Sequence, residues 1–185
     1  MALTPSNMLD LGVKAPEFKL TNGLDENRVG LDDVRGPQGT LIMFICVHCP
    51  YVIHVQGEIA KIAKEYQSKG VGFVAISSND IEKYPQDAPK HMKAQSVELG
   101  FDFPYLFDES QQVARAYDAA CTPDFYLFDH RDILVYRGRL DESRPNNDKP
   151  LTGGDLRDAI DRLLAGSPQG EKQYPSMGCN IKWMS

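Results

Sequence analysis

The chain has 185 residues, 42% hydrophobic and 25% charged, with a formal net charge of −6 and a pI near 5.2. That composition fits one folded domain and excludes a disordered chain, and the scattered basic residues exclude the clustered surface that nucleic acid requires. No run approaches the roughly 18 apolar residues of a membrane span, and the opening "MALTPSNMLDLGVKAPEF" lacks the basic start and apolar stretch of a secretory signal, so the cytoplasm is the expected compartment.

Residues 11–36 contain short extended pieces, "APEFKL" and "VGLDDVRG", broken by the turn signal "TNG", and predict an N-terminal hairpin. The continuous apolar run "GTLIMFI", residues 39–45, predicts a central strand buried on both faces. Residues 50–68 carry apolar side chains at Val52, Val55, Ile59, Ile62, Ala63 and Tyr66, close to the helical period, with "SKG" as the stop. "VGFVAISS", residues 71–78, then completes a strand, helix, strand unit.

Residues 79–100 are polar, carry Pro85 and Pro89, and end in a helix from about Lys90 to Leu99; they interrupt the rhythm as an insertion. A short strand at 103–108, a helix at 110–119 and an antiparallel pair of strands at 124–129 and 133–140 follow. After a loop at 143–150, "LTGGDLRDAIDRLLAG" predicts a closing helix with Leu156, Ile160, Leu163 and Leu164 on one face and Gly166 beyond its end. The tail, 167–185, has no clear period.

Chemistry centres on "FICVHCPYV", which places Cys46 and Cys49 where the central strand becomes a helix. Four cysteines in so long a chain are too few for a disulfide scaffold and point to catalysis or metal binding. A thiol reacts as thiolate, and the positive end of a helix dipole stabilises that anion at Cys46. Cys49, one turn further on, can attack a mixed disulfide formed on Cys46 and release the partner. Pro50 suits a first helical turn but disfavours helical geometry at Cys49, so the helix starts at Cys49 or Pro50. His48, between the two thiols, can tune the Cys46 thiolate or stand exposed in a loop.

With "GVKAPEFKL", "LIMFICVHC", "VGFVAISS" and "CTPDFYLFD", the chain resembles the thioredoxin-like superfamily, in its redoxin branch of thiol-disulfide oxidoreductases with an AhpC/TSA-type N-terminal extension. The resemblance implies an α/β thioredoxin-like fold, a central mixed sheet flanked by helices. It implies that Pro123 is the cis-proline facing the cysteine pair, and that Thr122 before it pairs its backbone with bound substrate. His48 is similar to the histidine before the second cysteine of disulfide isomerases. Stabilising the reduced form raises the potential, so a value above thioredoxin's, about −270 mV, is expected. The chain departs from the pattern at Ile45, where an aromatic residue is familiar, and near Thr40, where thioredoxin has a buried aspartate. Proton transfer from Cys49 then needs another route, such as a carboxylate in the insertion or water.

Two other readings compete. A peroxiredoxin needs Thr or Ser three residues before its peroxidatic cysteine, and those positions are Met43 before Cys46 and Cys46 before Cys49. A structural zinc site needs a second close pair, which the chain lacks, although the thiols could take up zinc or copper(I) adventitiously. Cys121 borders the active-site surface and is read as a small buried side chain; Cys179 is read as a terminal thiol on an unordered tail rather than a third thiol reaching the pair. The expectation is one domain over residues 1–185 that exchanges a Cys46–Cys49 dithiol with protein or small thiol substrates and draws on a reducing partner. Neither an organic cofactor, nor nucleic acid, nor a membrane is called for.

Overall fold

The computed structural model describes residues 3–185. A seven-stranded mixed sheet runs through it in the order β3-β2-β6-β5-β4-β8-β9. These strands are β2 (Lys19–Asn22), β3 (Arg28–Gly30), β4 (Gly39–Phe44), β5 (Val71–Ser77), β6 (Tyr105–Phe107), β8 (Asp124–Asp129) and β9 (Leu134–Gly138). A second, three-stranded sheet has the order β1-β10-β7, from β1 (Leu3–Pro5), β10 (Met177–Asn180) and β7 (Cys121–Thr122). The helices are α1 (Leu31–Val34), α2 (Pro50–Gln67), α3 (Pro89–Leu99), α4 (Gln112–Ala116) and α5 (Gly154–Ala165).

Strand β4 is buried along its whole length between β5, which it pairs in parallel, and β8, which it pairs antiparallel. Because successive strand residues face opposite sides, Leu41 and Met43 enter one apolar cluster and Ile42 and Phe44 the other. The first cluster packs against α2 through Val52, Val55, Ile59 and Ile62, and against α5 through Leu156 and Ile160. The second takes Leu31, Val34, Val113 and Ala114 from the opposite side. The mixed sheet flanked by helices is the thioredoxin-like architecture anticipated above.

The N-terminal hairpin forms as β2 and β3, with Lys19 opposite Gly30, and β2 extends the sheet beyond β6. α5 closes on a left-handed Gly166. Helix 110–119 shrinks to α4, five residues long. Among the described residues no helix is long and apolar enough to cross a membrane.

The tail departs most from expectation. Instead of lacking structure, it contributes β10, whose Cys179 lies opposite Leu3 on one side and Thr122 on the other. Local pattern could not reveal this, because the partners are two- and three-residue strands distant in sequence. Beyond β10 the tail stays pinned: Lys182 N donates to Asn79 Oδ1 at 2.8 Å, Asp80 N donates to the Lys182 carbonyl at 2.9 Å, and Trp183 lies over Arg115. Gly178 makes the pairing feasible, since a Cβ there would sit 1.9 Å from the Thr122 carbonyl oxygen.

Candidate active site

β4 delivers Cys46 and Cys49 to the start of α2. Cys49 is the N-cap and Pro50 the first helical residue, so the helix begins at the later of the two cysteines. Both thiols are buried, Cys46 at 1% exposure and Cys49 at 0%. The loop before β8 meets them from the other side: the Thr122–Pro123 peptide is cis, as the resemblance implied. Thr122 Oγ1 is 3.4 Å from Cys46 Sγ, and the Thr122 carbonyl oxygen is 3.4 Å from Cys49 Sγ.

The two thiols are displaced in opposite directions. Cys49 is drawn down to about 5, first by the hydrogen bond with Cys46, against the opposing effect of burial, and further by the Cys179 thiol and the Val52 amide in the first turn of α2. Cys46 is pushed well above the ordinary thiol range, first by sharing its proton with Cys49, then by burial and by the charge of Asp87, with the Thr122 hydroxyl acting the other way. The helix amides, which point at the N-cap residue, add to the lowering at Cys49.

Asp87, in a 3-10 turn at Pro85–Asp87 within the insertion, organises the loop between the cysteines. Its fully buried carboxylate accepts from Val47 N at 2.9 Å, His48 N at 3.0 Å and Asn79 Nδ2 at 2.8 Å, and lies 2.5 Å from His48 Nδ1. The His48 ring stacks on Tyr84 at 5.7 Å, so it is fixed by two partners rather than loose in a loop. Sequence reasoning looked to residues 79–100 for a carboxylate that would take the Cys49 proton; Asp87 bonds instead to Val47, His48 and Asn79. Its signal, one acidic residue between Pro85 and Pro89, is visible only once the 3-10 turn is known. Thr40, where thioredoxin keeps an acid, is buried and accepts from Gly36 N at 3.2 Å.

Cys179 corrects the reading of a terminal thiol. Its Sγ is 2.7 Å from Cys49 Sγ, and it is 4% exposed. Burial, then the hydrogen bond and charge of Cys49, push it up to about 12. Cys121 is fully buried with its thiol 4.0 Å from the Pro123 carbonyl oxygen, and burial pushes it up; it behaves as the small core residue expected. Of the metal donors, Cys46, His48 and Asp87 bring ligand atoms within 4.8 Å of one another. His48 and Asp87 are hydrogen-bonded to each other in that group.

Comparison with known proteins gives the family and the fold. The profile of the AhpC/TSA family matches residues 11–137. The chain is 58% identical to an uncharacterized conserved protein from Geobacillus kaustophilus, covering 100% of this chain and 97% of that one with a TM-score of 0.98. It is 43% identical to a hypothetical protein from Sinorhizobium meliloti 1021, covering 98% and 99% with a TM-score of 0.96. A secreted Mycobacterium tuberculosis disulfide oxidoreductase homologous to E. coli DsbE shares the fold at 14% identity, with a TM-score of 0.59 over 78% of this chain and 94% of that one. No curated protein matches. With a thioredoxin-like fold, a cysteine pair at the start of α2 and a profile that covers most of its length, the chain belongs to the AhpC/TSA family.

Proposed function

We propose that the protein is a thiol-disulfide oxidoreductase that cycles Cys46 and Cys49 between dithiol and disulfide, with protein or low-molecular-weight disulfides as substrates and a separate thiol as its reductant. The observation that carries this reading is the buried cysteine pair at the start of α2, faced by the hydroxyl and the carbonyl of Thr122.

In the reduced resting state one proton is shared between Cys46 and Cys49. Moving that proton to Cys49 creates the attacking Cys46 thiolate, and Thr122 suits the new state on both sides. Its hydroxyl donates to Cys46, and its carbonyl accepts from Cys49. Cys46 Sγ attacks one sulfur of the partner disulfide, forming a mixed disulfide and expelling the first partner thiolate, which takes up a proton. Cys49, once deprotonated, attacks Cys46 Sγ; the Cys46–Cys49 bond forms and the second partner thiolate leaves. The proton that Cys49 gives up passes to the departing partner thiolate, because the Cys46 thiol that lowers Cys49 is spent in the mixed disulfide. His48 and Asp87 hold the Val47–His48 backbone, and hence the turn linking the two thiols.

The test is to trap the intermediate with a disulfide-bonded peptide. Cys49→Ser accumulates the peptide on Cys46, and Cys46→Ser does not. Adducts that land elsewhere in Cys49→Ser, or the absence of any adduct, would sink the reading.

A further inference from the structure

The backbone edge of Thr122 is occupied by the chain's own tail, with Cys179 in register opposite Thr122 and Asn180 opposite Cys121. β10 is held on its other edge by β1, and Ser176 N donates to Ser6 Oγ at 2.7 Å. The placement of Cys179 against Cys49 is therefore set by two strands and the flanking anchors at Ser6 and Asn79. The tail presents a thiol as an extended partner strand would, but to the second cysteine of the pair.

We propose that Cys179 is a third redox thiol of this site, which attacks Cys49 of the Cys46–Cys49 disulfide and moves the oxidised bond to Cys49–Cys179. The proposal rests on the reading of Cys46 and Cys49 as a redox pair. The Cys179 sulfur donates an electron pair to Cys49 Sγ, the Cys46–Cys49 bond breaks, and its electrons go to Cys46. The proton lost by Cys179 is the one gained by Cys46. The exchange is redox-neutral, and the oxidising equivalent is the one the pair took from its substrate.

Two features favour the step. Sulfur–sulfur proximity supplies the collision without ordering cost, since the buried thiols already touch at 2.7 Å. The charge of Cys49 is one of the influences holding Cys179 protonated, and oxidising Cys49 removes it, so Cys179 becomes a better nucleophile in the state where it is needed. The product joins β10 covalently to the start of α2 and returns Cys46 as a thiol beside Thr122.

The test uses the 185-residue chain, oxidised with one equivalent of glutathione disulfide, quenched in acid and alkylated with N-ethylmaleimide. Non-reducing peptide mass spectrometry then assigns each bond, with fragment ions between Cys46 and Cys49 separating the two. The expected result is a Cys49–Cys179 bond with alkylated Cys46, making up at least about one-tenth of the disulfide, the share at which the two bonds differ tenfold in stability. A smaller share, with Cys46–Cys49 as the remainder and Cys179 alkylated, overturns the transfer and leaves the redox pair standing. A protein in which Cys49 enters no disulfide overturns both.

Discussion

His48 Nδ1 lies 2.5 Å from Asp87 Oδ2, across 39 residues of chain, and the same carboxylate caps the Val47 and His48 amides. The 3-10 turn at Pro85–Asp87 thus supplies the support for the turn between Cys46 and Cys49. Asp87→Asn leaves an amide facing donors. Hydrogen bonds to a charged group are worth about 1.5–3 kcal/mol each, so the loss of folding stability is expected to be about 2 kcal/mol or more in urea unfolding. Asp87 also raises Cys46, so the variant's Cys46 should titrate lower by ultraviolet thiolate absorbance. An unchanged Cys46 titration would remove Asp87 from the site's electrostatics.

The depressed Cys49 thiol makes the reduced protein's stability depend on pH. Between about 5 and the ordinary thiol value of 9.0 the unfolded chain binds a proton at Cys49 that the folded chain does not. Stability from this group therefore rises with pH across that window, is fully present above it, and is lost as pH falls through about 5. The stability difference between reduced wild type and Cys49→Ala should grow across the window, measured by urea unfolding at each pH. A difference that shrinks with rising pH contradicts the assignment of the thiolate to Cys49.

Asp124, fully buried beside Pro123, carries the opposite sign. Burial raises it from 3.8 to about 7, against hydrogen bonds from Ser6, Tyr126 and the Phe125 amide. Between those values the folded chain keeps a proton that the unfolded chain releases, so this group's contribution falls as pH rises. Asp124→Asn should lack that fall, gaining on wild type from about pH 4 to about pH 7 and running parallel above. A constant offset at every pH would contradict it.

Gly178→Ala places a methyl 1.9 Å from the Thr122 carbonyl oxygen, so β10 must shift. Overpacking of this kind costs about 1–3 kcal/mol. Cys179 should then be alkylated by iodoacetamide at least about tenfold faster, the factor that 1.4 kcal/mol of local opening represents. Trp183, the single tryptophan, lies on the same tail and should report the loosening by its fluorescence. Unchanged alkylation would mean that β10 does not depend on the close approach at Gly178.

The centre of the main sheet was legible because its strands are continuous apolar runs: "GTLIMFI" and "VGFVAISS" became β4 and β5 within a residue or two. The helical period of Val52, Val55, Ile59 and Ile62 likewise placed α2, the cysteine pair was visible in its spacing, and the cis-proline was implied by the family resemblance. What lay hidden is non-local. Asp87 is 38 residues beyond Cys49 and Cys179 is 130 residues beyond it, and neither position carries a periodic signal. The helix start was legible, because Pro50 suits a first turn and α2 begins there with Cys49 as its N-cap.

The central claim is that Cys46 and Cys49 form the working redox pair, and the most direct test is a titration in glutathione buffers with alkylation and peptide mapping of every cysteine. Thiolate stabilisation at Cys49 favours the reduced form. The result expected is a Cys46–Cys49 disulfide with a defined midpoint above thioredoxin's value of about −270 mV. Cys46 and Cys49 both alkylated at every buffer ratio, with no disulfide at either, would contradict the account.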